Sequence, residues 1–132
     1  MTEDELLAMP EADYMNPAQL AFFRQKLEAL REEILAHAAD TNAHLRESAE
    51  MPDPADRATQ EEEYTLELRT RDRERKLLRK IEKALLRIES GSYGYCEETG
   101  EEIGLKRLLA RPAATLTLEA QERHERRERQ YA

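Results

Sequence analysis

Apolar side chains recur three and four positions apart at Leu20, Phe23, Leu27, Leu30 and Ile34. That spacing puts them on one stripe of an α-helix and predicts a seam for a partner helix. Asn16-Pro17-Ala18-Gln19 marks the start. Asn16 suits the N-cap, Pro17 the first helical position, and Gln19 can reach back as in a capping box. In the same register the stripe continues through His37, Thr41, His44 and Ser48, so it turns polar as the helix proceeds. His37 and His44 read as partly solvated seam residues and receive no function. Met51-Pro52-Asp53-Pro54 should end the helix, because each proline lacks an amide donor and disfavours the α conformation in the residue before it.

A second helix is expected at once, capped by Asp53 with Pro54 in its first position, and running without Gly or Pro to Ser90, where Gly91 stops it. Read backwards, its stripe is Ile88, Leu85, Ile81 and Leu78, then Arg75 and Arg71, then Leu68 and Tyr64. Both helices are apolar away from the turn and polar near it. The expected fold is therefore mainly α, a long antiparallel coiled-coil hairpin whose first helix, Pro17 to Glu50, extends about 50 Å at 1.5 Å per residue. After Gly91 the texture changes. Residues 92–104 contain Gly94, Gly100 and Gly104 and predict tight turns joining short strands. A last helix should begin near Thr115 or Thr117 and run to about Gln130. The expected organisation is an N-terminal segment, 1–15, docking on a globular base; a hairpin, 16–90, with its tip at 51–58; and a turn-rich knuckle with a C-terminal helix, 91–132.

Composition narrows the function. The chain has 132 residues, 38% of them charged and 5% aromatic, with no Trp. This suits one domain with a solvated helical appendage better than a large layered core. No run approaches a membrane span, and the start, Met1 to Glu5, carries three acids where a secretory signal would be basic. A soluble, cytoplasmic protein is expected. The single Cys96 excludes an intramolecular disulfide. The net charge of −8 argues against a DNA binder, whose affinity would come from basic groups neutralising phosphates. That charge is unevenly distributed: residues 1–16, 46–63 and 89–102 each carry −5, whereas 66–88 carry +5.

Five segments carry a resemblance: Asp53 to Ala58 (Asp-Pro-Ala-Asp-Arg-Ala), Arg71 to Leu77 (Arg-Asp-Arg-Glu-Arg-Lys-Leu), Tyr93 to Cys96 (Tyr-Gly-Tyr-Cys), Glu102 to Gly104 (Glu-Ile-Gly) and Ala110 to Pro112 (Ala-Arg-Pro). In order and separation they resemble the DksA/TraR family of bacterial transcription factors, from about Asn16 to Gln130. The resemblance implies a zinc ribbon with four cysteines in two C-x-x-C pairs, but the matching positions here are Cys96, Thr99, Thr117 and Ala120. Ala offers no donor and a neutral Thr hydroxyl is a poor one, and the spacing of His124, Glu97 and Glu119 matches no common zinc pattern. A metal-free knuckle is expected, packed through Ile103, Leu105, Leu108, Leu109, Leu116 and Leu118. Cys96 reads as a relic or packing residue, or as a peroxide-sensing thiol, with Glu97 and Glu98 expected to raise its pKa.

The resemblance further implies a non-enzymatic regulator that binds RNA polymerase, inserts the hairpin tip into its secondary channel and shortens the lifetime of promoter complexes without touching DNA. Asp53 and Asp56, with Ala58 beside them, match the acidic tip that works near the catalytic centre. Arg73, Lys76, Leu77, Lys80 and Arg111 match the positions that bind the alarmone ppGpp, whereas a further basic position in the last helix is Gln121 here. A monomer is expected. The alternative is a transcript-cleavage factor whose tip carboxylates hold a catalytic Mg²⁺ inside polymerase. A coiled-coil adaptor with no polymerase role is a third reading, disfavoured by the tip motif. No catalytic triad, phosphate loop or cofactor motif is apparent.

Overall fold

The structure, a computed structural model, describes residues 1–50 and 57–131, with residues 44–50 described by backbone alone. The helices are α1 (Glu3–Leu7), α2 (Pro17–Glu50), α3 (Arg57–Ser90), α4 (Leu105–Ala110) and α5 (Leu118–Tyr131), with a 3-10 turn at Glu11–Asp13. The two long helices form the expected antiparallel hairpin. The turn, with the proposed cap at Asp53 and Pro54, lies outside the described residues. Two compact units are formed, one from Met1–Glu28 with Ile81–Ala132 and the other from Ala29–Lys80.

The start of α2 follows its local chemistry. Asn16 Oδ1 accepts the Gln19 N–H at 2.8 Å, and Gln19 Oε1 accepts the Met15 N–H at 2.8 Å. This is a capping box whose return bond falls one residue before the cap. Gln19 is fully buried with these partners, and Met15 adopts a left-handed φ of 57°. At the far end of α3, Gly91 takes a φ of 82°. Its N–H reaches the Ile88 carbonyl at 3.4 Å, and the Ser92 N–H reaches the Arg87 carbonyl at 3.0 Å. These are the two bonds of a Schellman stop.

The hairpin unit corrects the seam expected for α3. Arg75 is exposed, and so are Leu68 and Tyr64, at 41% and 49%. The less exposed positions from residue 57 to residue 80 are Gln60, Glu67, Thr70, Arg71, Glu74 and Leu78. Strict alternation of threes and fours back from Ile88 passes through Leu85, Ile81, Leu78, Glu74, Arg71 and Glu67. The expected path took two steps of three in succession and so left the stripe at Arg75, Leu68 and Tyr64, while Arg71 lies on it. On this seam, His37 Nδ1 of α2 lies 2.5 Å from Glu74 Oε1, while Glu74 Oε2 is buried without a hydrogen-bond partner.

In the globular unit, Phe23 and Leu27 of α2 and Ile81, Ala84 and Ile88 of α3 are buried in a core that also contains Leu6, Tyr93 and Leu108. Fully burying each of the larger side chains contributes about 1.5–3 kcal/mol. The Phe23 ring packs on Tyr93 with centroids 5.7 Å apart, and α1 packs on α4. The expected short strands are reduced to one antiparallel bridge, Tyr95 to Glu102, with no strand among the described residues. Residues 105–110, expected as part of the turn-rich segment, form α4 instead. Of the expected packing residues, Ile103 and Leu108 are buried and Leu105, Leu109 and Leu116 half-buried. Leu118 is 53% exposed, because it is the first residue of α5 and Ala120 supplies that helix's buried contact.

Besides the packing of Leu6 and α1, the segment before α2 is held by the Tyr14 hydroxyl. Tyr14 donates to the Gly94 carbonyl at 2.6 Å and accepts the Gly104 N–H at 2.9 Å. It thereby bridges both limbs of the knuckle. A Cβ at Gly94 would stand 2.7 Å from Met15 Cγ and Sδ at a φ of +91°, whereas Gly100 has a φ of +75° and open space around it. Gly100→Ala should therefore cost only the left-handed strain, about 1–2 kcal/mol. Gly94→Ala should cost that plus an overpacking penalty of about 1–3 kcal/mol. Denaturant midpoints of the two variants, compared with the parent, check this ordering.

Candidate functional site

Helix α3 presents a basic face. Arg69, Arg73, Lys76, Leu77 and Lys80 fall at helical spacings on one side of it, and all are exposed. Lys76 pairs with Asp72 at 3.1 Å, an exposed i,i+4 contact worth about 0.3–0.5 kcal/mol. Arg69, Arg73 and Lys76 line a shallow recess with Thr65, Leu68 and Asp72. Leu77 is 41% exposed, off the seam. These residues belong to the hairpin unit. Arg111 belongs to the globular unit, where it is exposed, follows α4 and lines a groove with Tyr14, Gly104 and Arg107. Asp53 and Asp56 lie outside the described residues, and Ala58 is exposed in the first turn of α3.

The knuckle brings the four positions matching zinc ligands together around Cys96. Cys96, Thr117 and Ala120 are all at least 95% buried. The Thr117 hydroxyl donates to Cys96 Sγ at 3.9 Å and accepts the Ala120 N–H at 3.2 Å, so it also caps α5. Thr99 is exposed, and its hydroxyl accepts the Glu101 N–H at 3.2 Å. A donor set of one thiol, two engaged hydroxyls and a methyl does not fit zinc. The acids and histidine considered as substitutes are engaged elsewhere or dispersed. Glu97 lies on Arg87 and Lys83, and His124 lies between Glu98 and Glu128. Among the described residues, no three His, Cys, Asp or Glu side chains are grouped to hold a metal ion.

The expected rise in the Cys96 pKa is overturned. Burial pushes the thiol up, but the Thr99 hydroxyl and the backbone N–H groups of Thr117, Thr99 and Glu98 outweigh it and hold the pKa at about 7. Neighbourhood in sequence misled here, because the Glu97 carboxylate is taken up by cations. Burial alone would raise the Glu97 pKa, yet Lys83 and Arg87 lower it. Burial also raises the pKa of Tyr14 and that of Tyr93, whose hydroxyl donates to the Pro112 carbonyl at 2.8 Å.

Sequence reasoning missed Arg87, counting it only as one of the basic residues of 66–88. Its side chain is 13% exposed. Nη1 meets Glu97 Oε1 at 2.7 Å, and Nη2 meets the carbonyls of Ser92 and Tyr95 at 2.9 and 2.5 Å. The available signal was position: Arg87 stands one turn before the Gly91 stop, within reach of whatever follows.

Comparison with known proteins matches both halves of the chain. Residues 19–88 match the N-terminal domain of the DnaK suppressor protein DksA, and residues 91–126 match the prokaryotic dksA/traR C4-type zinc finger. The chain is 62% identical, over 88% of its length and 82% of the relative's, to the RNA polymerase-binding transcription factor DksA of Caulobacter vibrioides. It is 52% identical, over 93% of its length and 82% of the relative's, to the protein of that name from Escherichia coli. Among solved structures, transcription factor DksA2 from Pseudomonas aeruginosa superposes with a TM-score of 0.88 at 51% identity, covering 97% of this chain and 99% of that one.

The low Cys96 pKa has a thermodynamic consequence. An acid whose folded pKa lies below its unfolded value contributes stability above the unfolded pKa and loses it as pH falls through the folded one. Stability should rise between pH about 7 and 9 by about 1–3 kcal/mol. Thr99→Val, which removes the largest lowering contact, should flatten that rise. Unfolding midpoints across this pH range, with a thiolate absorbance titration, check both statements.

Proposed function

We propose that this chain, which belongs to the DksA family, binds RNA polymerase and regulates transcription through it. The carrying observation is its 62% identity, over 88% of its length, to a protein named for that activity. The same name favours a regulator over a transcript-cleavage factor. In this reading the chain is not itself an enzyme. It works as a cytoplasmic monomer that acts through polymerase without contacting DNA, in keeping with a net charge of −8. Among the described residues no helix is long and apolar enough to cross a membrane.

The finer proposal follows the family resemblance. The hairpin enters the secondary channel of polymerase, where Asp53 and Asp56 act at the tip beside Ala58. There a slender anionic tip meets the Mg²⁺ and basic groups of a phosphoryl-transfer site. The factor destabilises promoter complexes, ribosomal RNA promoters among them. The alarmone ppGpp is the effector, held by Arg73, Lys76, Leu77, Lys80 and Arg111. Exposed cations along one face of α3 support this, since guanidinium and ammonium groups suit a pyrophosphate. Zinc is not required, and the mismatched donor set at Cys96, Thr99, Thr117 and Ala120 is the support for that. The three-part organisation proposed is a docking segment, 1–15, a hairpin, 16–90, and a knuckle with its helix, 91–132. Burial of Leu6 and the two bonds of Tyr14 support the docking.

In vitro transcription from a ribosomal RNA promoter, with and without ppGpp and at limiting zinc, tests the reading. Repression should persist without metal and deepen with ppGpp. Asp56→Asn should abolish repression while leaving polymerase affinity and thermal stability nearly unchanged, and loss of all three together would make Asp56 structural. Lys80→Ala combined with Arg111→Ala should remove the ppGpp response and keep basal repression. An intact response in that variant refutes the effector assignment.

A further inference from the structure

A zinc ribbon is normally held in shape by its metal, because so small a segment has too little apolar surface to hold itself. The knuckle here has the same slight proportions and an unsuitable donor set, so something else must keep it in place on the helix that leads into it. Its own backbone bonds, Cys96 N–H to the Glu101 carbonyl, Ile103 N–H to the Gly94 carbonyl and Glu97 N–H to the Thr115 carbonyl, all at 2.8 Å, shape it. The backbone bonds to α3 are made where it begins, by Ser92 and Tyr93 N–H to the Arg87 carbonyl at 3.0 and 3.1 Å. Further along the knuckle, the guanidinium of Arg87 reaches across from α3 to Tyr95 and Glu97.

We propose that Arg87 does in this chain the holding that a metal does in a zinc ribbon. Its planar fork grips the Ser92 and Tyr95 carbonyls and the Glu97 carboxylate, and so keeps the knuckle seated on α3. Three features make it suited to the task. Its side chain is 13% exposed and its bond to the Tyr95 carbonyl is part-buried, which shelters that contact from solvent and salt. It carries donors in a fixed plane, which lets one side chain reach two backbone carbonyls and a carboxylate that a lysine would have to choose between. Lys83 stands one turn earlier, 3.1 Å from the same Glu97 oxygen, and reinforces the carboxylate's position. Tyr14 closes the opposite side through Gly94 and Gly104. The two devices bracket the knuckle between α3 and the segment preceding α2. Arg87 is thus a positioning residue, acting through the knuckle.

The proposal rests on the metal-free reading of the knuckle, and its test separates the two. Zinc content is measured on the full chain, and amide hydrogen exchange is followed at Cys96, Glu97 and Ile103 with and without EDTA. Leu27 in α2 serves as the internal reference. The parent should contain no stoichiometric zinc and should exchange identically in EDTA. Arg87→Met keeps an apolar side chain of similar length and removes every donor. It should speed the three knuckle amides about tenfold to a hundredfold and leave Leu27 unchanged. Arg87→Lys, which keeps the charge on Glu97 but loses the fork, should fall between parent and Met variant. If Arg87→Met fails to fold, Glu97→Gln decides, since it removes the ion pair and keeps both carbonyl bonds. Faster exchange confined to the knuckle then supports the proposal. Knuckle exchange at the parent rate in the deciding variant overturns it and leaves the metal-free reading standing. Stoichiometric zinc, or exchange that quickens in EDTA, overturns both.

Discussion

The way the chain leaves α3 governs the layout of every residue after 90. A helix must satisfy its last carbonyls and then turn, and Gly91 allows both by adopting a left-handed φ of 82°. Arg87 is used twice at this junction. Its carbonyl accepts the amides of Ser92 and Tyr93 at 3.0 and 3.1 Å, and its guanidinium reaches forward to Ser92, Tyr95 and Glu97. Helix termination and knuckle placement are therefore one event. Tyr93, delivered into the core by the same turn, packs on Phe23 and bonds the Pro112 carbonyl, which directs the chain toward α5. The first turn of α5 then returns Thr117 to Cys96.

The hairpin shows how far periodicity carries. The stripe on α2 was legible because strong apolar residues mark it from Leu20 to Ile34. The stripe on α3 was legible from Ile88 to Leu78 for the same reason. Beyond Leu78 the inward positions are Glu74, Arg71 and Glu67, none of which announces itself as buried. The exposed Leu68 and Tyr64 drew the reading one residue off. Polar seams are hidden from hydrophobic patterning, and only the partner helix, through His37 against Glu74, reveals the register. Such a seam adds little burial energy, and it keeps the two helices paired through side chains that few other registers would satisfy.

The electrostatics differ from the linear reading for a related reason. Glu97 and Glu98 flank Cys96 in sequence, which suggested a negative field at sulfur. In space Glu97 is neutralised from α3, and the sulfur sits among the Thr99 and Thr117 hydroxyls and backbone amides, so the thiol pKa falls to about 7. Cys96 stands beside residues that make poor zinc ligands, within the hydroxyl and amide donors that the knuckle supplies.

By itself the sequence determined the two long helices and the last helix, the Asn16–Gln19 cap and the Gly91 stop, the family, and the mismatched residue types at the zinc positions. Those features depend on residue type and on spacings of a turn or less, which local physics reads directly. Tertiary structure alone decided the α3 register, the formation of α4, the direction of the Cys96 pKa and the roles of Arg87 and Tyr14. Each of these follows from contacts that a local reading does not reach. The two bonds of the Tyr14 hydroxyl span 80 and 90 residues, and no local pattern encodes a partner at that distance.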